Sequence, residues 1–394
     1  MRVLVLGGDG YCGWPTALRL SALGMDVSIV DNLSRREIAL ELKAPSLVPI
    51  ADLNTRCAAW EDLAGRVITT YHIDIAEDFD AICTLIGDLR PEAIVHFAEQ
   101  RSVPYSAMSA HAGLYTVRNN LMATTNVLMA MVETGVDAHL VHLGSLGVYG
   151  YETLGYEIPE GYLEVRRLSK AGGLGPKEEI LQPFNPVSIY HLTKALDHLG
   201  LAHFASRFGV RATDLHQGTV WGSETLETVK DPRLANRFDY DPTYGTVINR
   251  FAVQAALNMP ISIYGTGGQT RGFIHLNDVL SCVEAALLEP PARGERVRVI
   301  NQTAETRQIR DLAEIFAGLS KSEIKFLPSP RKEPAANDLR TSNESVIGFG
   351  VTPTIVSEET AGPLVEAARR MADSVDMSLL YPDTAAIDAT QTRS

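Results

Sequence analysis

Short apolar runs alternate with longer amphipathic stretches through the first half of the chain. Four of these runs lead into glycine or polar residues and are predicted as strands: Val3–Leu6, Val27–Val30, Ile94–Phe97 and Leu140–Leu143. The stretches Trp14–Leu23 and Leu121–Thr134 lie between runs and have the apolar spacing of helices. This alternation predicts an α/β fold with a doubly wound, Rossmann-like parallel sheet over residues 1–215, in which Arg211–Leu215 is a later strand.

The pattern changes after about residue 222. Proline, aspartate, arginine and tyrosine become frequent in Asp231–Tyr244, and three short apolar units follow: Ile261–Tyr264, Arg271–His275 and Val297–Ile300. We therefore predict a smaller α/β substrate lobe over residues 216–382, packed over the carboxyl edge of the sheet. Residues 150–188 are predicted as an insertion that caps the cleft, and the polar residues 383–394 as a mobile tail.

A glycine motif directly follows the first predicted strand. Gly7, Gly10 and Gly13 have the G-x-x-G-x-x-G spacing, with Tyr11 and Cys12 inside it, and a predicted helix begins next. Glycines in this position let a pyrophosphate approach the backbone at a helix N-terminus. The alternative is an ordinary tight turn.

An acidic residue ends the second predicted strand, where a dinucleotide site needs one. Asp31 can accept hydrogen bonds from the adenosine ribose, which favours NAD over NADP, although Asp31 could instead cap a local turn. Asp74 and Ile75 are placed to meet the adenine edge. The full set of predicted cofactor-binding residues is Gly7, Gly10, Tyr11, Cys12, Gly13, Asp31, Asn32, Arg35, Asp74, Ile75, Phe97, Asn119, Tyr190 and Lys194.

Tyr190 and Lys194 are four residues apart, so on a helix they share one face. A free tyrosine has a pKa of about 10, and a neighbouring ammonium together with a positive nicotinamide ring favours the phenolate. Such a phenolate can take a proton from a sugar hydroxyl while hydride leaves the same carbon. Ser145 follows the run Leu140–Leu143 and is placed to hydrogen-bond the same oxygen. A chance surface pair is the alternative.

Composition narrows the class of partner. The formal net charge is −13 and the pI about 5.3, which disfavours nucleic acid and anionic membrane surfaces as partners. The four cysteines have no metal-ligand spacing, so we predict reduced thiols, no metal site and a cytoplasmic location.

Several long stretches resemble the extended short-chain dehydrogenase/reductase superfamily, in particular its NAD-dependent epimerase/dehydratase family. Within that family the chain is most similar to the UDP-sulfoquinovose synthases, which use UDP-glucose and sulfite. The stretches that support this likeness are Gly7–Trp14, Val30–Leu33, His96–Ser106, Tyr190–Lys194, Arg211–Leu215 and Gly267–Gly272.

The resemblance implies a set of site residues. Ser145, Tyr190 and Lys194 would be catalytic, and Glu99 and His191 match the synthase pattern. His191 is a candidate proton carrier or a core residue, and Arg101 a candidate anion anchor or a salt-bridge partner. The predicted substrate-binding residues are Gln100, Arg101, Gln217, Thr246, Asn249, Arg250, Gln269, Arg271 and Arg331. Relatives dimerise, which implies a homodimer through helices such as Leu121–Thr134 and Ile189–Arg207.

In this family, a 4-keto sugar intermediate can react further in three ways. A 4,6-dehydratase generally needs an Asp-Glu pair after the serine, and Leu146 and Gly147 occupy those positions. A sulfoquinovose synthase eliminates water and adds sulfite, whereas a 4-epimerase only returns hydride to the other face. The synthase motif has a glutamate where this chain has Val148, and Leu163–Ser188 diverges. A 4-epimerase for an unusual sugar in a specialised, antibiotic-type pathway therefore stays open, as does a non-catalytic NAD sensor.

Overall fold

The computed structural model describes residues 1–151, 155–170, 172–329 and 335–380. Its strands are β1 (Arg2–Leu6), β2 (Asp26–Val30), β3 (Thr69–Tyr71), β4 (Ala93–His96), β5 (His139–Ser145), β6 (Tyr162–Leu168), β7 (Leu174–Leu181), β8 (Arg211–Gln217), β9 (Thr219–Trp221), β10 (Ile261–Tyr264), β11 (Thr270–His275), β12 (Arg298–Gln302), β13 (Glu305–Gln308) and β14 (Ile324–Leu327). Its helices are α1 (Gly13–Ala22), α2 (Ser34–Glu41), α3 (Leu53–Ala64), α4 (Phe79–Leu89), α5 (Val103–Met108), α6 (Ala110–Thr134), α7 (Ile189–Phe208), α8 (Val247–Ala256), α9 (Leu276–Leu288), α10 (Ile309–Ser320), α11 (Glu344–Gly348), α12 (Glu358–Arg370) and α13 (Met377–Leu380).

The central sheet is parallel and has the order β12-β8-β5-β4-β1-β2-β3. The predicted doubly wound α/β fold is therefore confirmed. From β3 at one edge the chain returns to β4 beside β1, so the direction of winding reverses between β1 and β4. In open parallel sheets, ligands bind in the crevice at this reversal, beyond the carboxyl ends of the strands.

The sheet is covered on both faces, which explains its nearly continuous apolar strands. Along β1, Val3 and Val5 join one buried cluster and Leu4 and Leu6 join the other. Helices α1 and α9 supply side chains to the first cluster, and α4, α6 and α7 supply them to the second. No helix among the residues described combines the length and apolar character needed to cross a bilayer.

One strand lies elsewhere than the sequence analysis placed it. The run Val297–Ile300 was assigned to the smaller lobe, but β12 forms the edge of the main sheet and pairs with β8, with Val299 beside Asp214. Strand periodicity shows which residues face a core but not which sheet they join. A distant segment can add an edge strand through a crossover connection.

The smaller lobe has its own apolar core, built around Phe251, Phe273 and Phe316. The predicted units Ile261–Tyr264 and Arg271–His275 form strands there: β10 pairs with β14, and β11 pairs with β9 and β13. The division into lobes at residue 215 stays a prediction. The predicted mobile tail, 383–394, lies outside the described residues.

The predicted insertion 150–188 contains an antiparallel hairpin of β6 and β7. This hairpin does not cap the cleft, because it lies beside the amino end of β12. Tyr162 donates a hydrogen bond to the Val297 carbonyl at 2.9 Å, and Arg296 pairs with Glu179 at 2.8 Å. Tyr151 of the same segment instead contacts His191, so a cap formed by the rest of residues 150–188 stays a prediction.

Candidate active site

Ser145, Tyr190 and Lys194 lie together at the carboxyl edge of the sheet. Ser145 is the last residue of β5, and a 3₁₀ turn follows directly. Ser188 caps α7 by accepting the amide of His191, which puts Tyr190 in the first turn of that helix and Lys194 one turn further on. The Lys194 ammonium donates to the Leu143 carbonyl, two residues before Ser145. The tight turn after β5 and the capped start of α7 thus position the three side chains.

The pKa of Tyr190 is raised, whereas the sequence predicted that Lys194 would lower it. Burial raises the pKa of Tyr190 to about 12, and the Lys194 ammonium lowers it only in part because Glu99 opposes that effect. The lysine alone therefore does not keep the phenol acidic. The positive charge of oxidised nicotinamide would act in the same direction as Lys194.

Glu99 occupies the loop after β4 and forms a buried ion pair with Lys194. Burial alone would raise the pKa of Glu99, and the charges of Lys194 and His142 lower it below its ordinary value. The same contact raises the pKa of Lys194 against the effect of burial. Glu99 therefore holds the lysine and keeps it cationic, whereas a role in touching substrate stays a prediction.

His191 is nearly fully buried beside the tyrosine. Its ring centre is 5.3 Å from that of Tyr190, Nδ1 is 3.0 Å from the Ser188 hydroxyl and Nε2 is 3.5 Å from the Tyr151 hydroxyl. A Cβ on Gly147 would collide with the His191 ring, so this glycine, two residues after Ser145, makes room for the imidazole. The position suits either a proton carrier or a packing residue.

The glycine motif forms the turn that a pyrophosphate requires. Gly7 has φ +79°, and a Cβ there would lie 2.7 Å from the Ala98 amide nitrogen in the loop after β4. A Cβ on Gly13 would overlap the Gly7 carbonyl. Both positions therefore need glycine, and α1 starts at Gly13 directly after the loop, with no side-chain cap hydrogen bond at its N-cap residue Cys12.

Asp31 makes the local turn contacts of the alternative interpretation, and its contact with ribose stays a prediction. Its carboxylate accepts the Asp9 amide at 2.8 Å and the Leu33 amide at 2.7 Å, so it stabilises the glycine loop. Burial, with Asp9 nearby, raises the pKa of Asp31 to about 6. A carboxylate has about four lone-pair sites, which leaves capacity for ribose hydroxyls.

The other residues predicted to contact the cofactor lie in different surroundings. Asn32 donates to Asp74 at 2.9 Å, so these two lie together beyond β2 and β3. Ile75 instead packs its side chain in an apolar cluster, and its carbonyl accepts from Asn126. Phe97 and Asn119 are half-buried, and Asn119 donates to Asn120 at 3.1 Å.

Three arginines surround one buried carboxylate near the glycine loop. Arg35, Arg101 and Arg237 lie 3.1 to 3.3 Å from Asp239. The Nε atoms of Arg35 and Arg237 are buried without a hydrogen-bond partner in the described part of the chain. Three cations against one anion leave an excess of positive charge that fits a pyrophosphate.

This cluster contains the salt bridge that one interpretation of Arg101 predicted, and the role of Arg101 as an anion anchor stays a prediction. Arg101 lies over the Tyr11 ring at 5.6 Å and pairs with Asp239, so it is a salt-bridge partner within the cluster. Arg237 and Asp239 were not predicted from the sequence. Their spacing in the arginine- and aspartate-rich stretch Asp231–Tyr244 was the available signal.

Gln100 was predicted to bind substrate, but its amide is used inside the protein. It donates to the Ser102 carbonyl and to Thr116, and it accepts the Ser102 amide at 2.5 Å. Asn120, which was not predicted, joins the Gln100 backbone to Thr193 of α7. Gln100 and Asn120 therefore shape the loop that carries Glu99.

The residues predicted for the nucleotide lie around the smaller lobe. Thr246 caps α8, and Asn249 donates to the Asp239 carbonyl at 3.1 Å. Arg250 stacks on Tyr264 at 4.8 Å, and Arg271 stacks on Tyr151 at 4.0 Å. Arg271 also donates to Asn337 at 3.2 Å, and Asn337 in turn donates to the Tyr151 carbonyl.

Three further predicted residues complete this group. Gln217 ends β8 and donates to Gln302 at 2.7 Å, and Gln269 is buried close to Gly265. Arg331 lies outside the described residues.

Residues 3–301 match the family described as the NAD dependent epimerase/dehydratase family. The chain belongs to this family, and it is an NAD-dependent enzyme of the class that modifies nucleotide sugars. It is 39% identical over 387 residues to the chloroplastic UDP-sulfoquinovose synthase of Spinacia oleracea, covering 97% of this chain and 78% of the relative. It is 41% identical over 359 residues to the UDP-sulfoquinovose synthase of Sulfolobus acidocaldarius, covering 90% and 88%.

Solved structures show the same fold. A UDP-glucose-4-epimerase from Stenotrophomonas maltophila, with bound NAD and formylated UDP-arabinopyranose, matches with a TM-score of 0.72 at 19% identity, over 95% of this chain and all of the other. A UDP-glucuronic acid 4-epimerase from Bacillus cereus, in complex with UDP-glucuronic acid and NAD, matches with a TM-score of 0.67 at 20% identity, over 94% of this chain and all of the other. The predicted family and cofactor are thus confirmed.

Proposed function

We propose that this chain converts UDP-glucose and sulfite to UDP-sulfoquinovose. The observation that carries the proposal is the likeness to two UDP-sulfoquinovose synthases over most of the chain. The site supports it, because Ser145, Tyr190 and Lys194 lie at one sheet edge and no acid pair follows Ser145 to favour a 4,6-dehydratase.

The first half of the reaction oxidises the sugar at C4. Bound NAD would supply a hydride acceptor for C4 and later return the hydride. Tyr190 takes the proton of the C4 hydroxyl, and Ser145 hydrogen-bonds the same oxygen. Lys194, held by Glu99 and Leu143, stabilises the phenolate. The glycine loop, Asp31 and the arginines around Asp239 would hold the cofactor.

The second half uses the acidity that the 4-ketone gives to C5. Loss of the C5 proton and of the C6 hydroxyl, as water, leaves a double bond between these carbons. Sulfite then forms a bond to C6 and C5 regains a proton. Hydride returns to C4 while Tyr190 gives its proton back to the C4 oxygen, so the sequence is redox-neutral. His191, beside Tyr190, is the candidate carrier of the C5 proton.

A 4-epimerase is the second candidate, and Val148 favours it. The synthase motif has a glutamate at this position, whereas Val148 is fully buried in an apolar cluster with Leu146, Tyr149 and Ala195. A 4-epimerase needs no carboxylate there, because the ketone only has to turn and accept hydride on its other face.

One experiment separates these functions. The protein is incubated with NAD and UDP-glucose in deuterated buffer, with and without sulfite, and products are followed by NMR and mass spectrometry. We expect exchange of the C5 hydrogen and a sulfonated product that needs sulfite. C4 inversion with the C5 hydrogen retained would establish the epimerase instead. No product and no transient nicotinamide reduction would leave the non-catalytic sensor.

A homodimer is proposed through the outer faces of α6 and α7. These helices pack side by side, and each exposes apolar side chains at helical spacing. Leu114, Met122 and Met129 on α6 and Leu192, Leu196 and Leu199 on α7 are between 41% and 68% exposed. Two copies of this face would bury one another as a four-helix contact, which would remove the exposed apolar area from water.

We expect Leu196→Glu to convert the dimer to a monomer, since a charge would be buried at the centre of the contact. Sedimentation velocity measures this directly. Leu40→Glu, at a position on α2 that is 79% exposed, is the matched control and should leave the mass unchanged. A dimer that persists in Leu196→Glu would place the interface on another face.

A cytoplasmic location stays a prediction. It is supported by the four cysteines, which are all free thiols in the structure.

A further inference from the structure

A line of buried side chains with alternating charge runs from the active site into the sheet. Lys194 of α7 pairs with Glu99 after β4, Glu99 pairs with His142 of β5, and His142 pairs with Asp214 of β8. We call these four residues the buried charge chain. Resting on the proposed function, we infer that His142 and Asp214 are positioning residues that fix Glu99 against Lys194 and offset the negative charge of Glu99 at Tyr190.

The geometry assigns a positive charge to His142. Its Nδ1 is 2.8 Å from Asp214 Oδ1, and its Nε2 is 3.2 Å from Glu99 Oε1. A carboxylate accepts hydrogen bonds, so a ring with a carboxylate at each nitrogen has to carry both protons. Burial and the charge of Lys194 lower the pKa of His142, but Asp214 and Asp197 outweigh them and hold it well above its ordinary value.

Asp214 anchors the far end of the buried charge chain. Its second oxygen accepts from His198 Nδ1 at 2.7 Å and from His216 Nε2 at 3.0 Å, so three rings donate to one carboxylate. A Cβ on Gly144 would collide with Asp214, and the glycine therefore makes room for this carboxylate against β5. The distances are those of hydrogen bonds, although the residue types are also those of metal ligands.

Glu99 alone would work against the catalytic tyrosine. Its negative charge raises the pKa of Tyr190, opposing Lys194. A buried carboxylate beside the lysine is useful for holding the ammonium, but its field has to be compensated. The imidazolium of His142 supplies this compensation on the side of Glu99 away from Lys194.

Other titratable groups surround this arrangement. Asp197 of α7 lies 3.8 Å from His142, and burial together with Glu99 raises the pKa of Asp197. His96 of β4 packs edge-on to His142, and burial lowers the pKa of His96 to about 3, so it is neutral. Burial also lowers the pKa of His216, whose Nδ1 is 2.6 Å from the hydroxyl of Tyr149 in the turn after β5. His142 is thus the imidazolium of the group, with Asp214 at one ring nitrogen and Glu99 and Asp197 at the other.

Removing the charge of His142 should make Tyr190 less acidic. In His142→Asn, Glu99 remains ionised through Lys194 but is no longer offset, so the pKa of Tyr190 is expected to rise by about one unit. Removing both charges, in Glu99→Gln/His142→Asn, should bring the value back towards that of the unaltered protein. A role limited to packing would not produce this recovery.

The test titrates Tyr190 directly in the NAD-bound protein. Phenolate absorbance is followed against pH, and the signal of Tyr190 is the difference between each protein and its Tyr190→Phe counterpart. This measurement needs no sugar substrate, so it is independent of whether UDP-glucose is turned over. His139→Asn is the matched control, because His139 is an equally buried neutral histidine on the same strand, paired with Thr213.

The results decide the inference in either direction. An upward shift in His142→Asn that the double variant reverses, with His139→Asn unchanged, supports it. An unshifted Tyr190 in a folded His142→Asn overturns it. If His142→Asn does not fold, nitrogen NMR of the unaltered protein decides: two protonated ring nitrogens on His142 at neutral pH support the inference, and a neutral ring overturns it. A titration that changes after chelator treatment would point to a metal and also overturn it.

Discussion

Tyr190→Phe is expected to lose turnover of UDP-glucose by about 10²- to 10⁴-fold, the range that a positioned proton-transfer group contributes. Phenylalanine keeps the ring beside His191 but has no oxygen to take the C4 proton. Binding of NAD should persist, because the glycine loop and the arginines around Asp239 are untouched. Steady-state assays with cofactor binding by calorimetry measure both effects.

Tyr162→Phe is the matched control for this variant. Tyr162 is also a partly buried tyrosine with one hydrogen bond, to the Val297 carbonyl, but it lies in the hairpin beside the amino end of β12. Its loss should leave turnover unchanged. Full turnover in Tyr190→Phe would remove the tyrosine from the reaction and leave Ser145 or His191 to carry the proton.

Lys194→Met is expected to lower the free energy of unfolding by about 3–5 kcal/mol and to abolish turnover. The large loss of stability arises because the buried Glu99 carboxylate would keep His142 but lose its cationic partner on α7. The methionine fills a similar volume, so packing changes little. Urea denaturation at neutral pH measures the stability.

The loss of stability in Lys194→Met should depend on pH. Lys194 lowers the pKa of Glu99 in the folded protein, so the stability from their pairing is present above the unfolded pKa and is lost as pH falls through the folded value. The difference between Lys194→Met and the unaltered protein should therefore shrink on acidification.

A double variant separates stability from catalysis. Lys194→Met/Glu99→Gln removes both members of the ion pair and should regain most of the lost stability while remaining inactive. If the double variant is as unstable as Lys194→Met, the unpaired carboxylate is not the cause. If it regains turnover, the lysine does not serve Tyr190.

The local sequence pattern was enough to predict the strands and the glycine loop of the proposed cofactor site. Each predicted strand in the first 215 residues is present, with ends that differ by a few residues, because apolar runs between glycines and polar turns have few alternatives in a sheet covered on both faces. The glycine spacing was equally informative, since Gly7 and Gly13 each lie where a Cβ cannot fit.

The sequence by itself therefore determined the Rossmann-like sheet, the glycine loop and the Tyr190-Lys194 pair, because each depends on residues close together in the chain. Only the tertiary structure decided the rest. It placed β12 at the edge of the main sheet, gave Arg101 its partner Asp239, 138 residues away, and joined Lys194 to Asp214 through Glu99 and His142. These contacts link segments distant in sequence, and burial, which sets the charges of those side chains, exists only once the chain has folded.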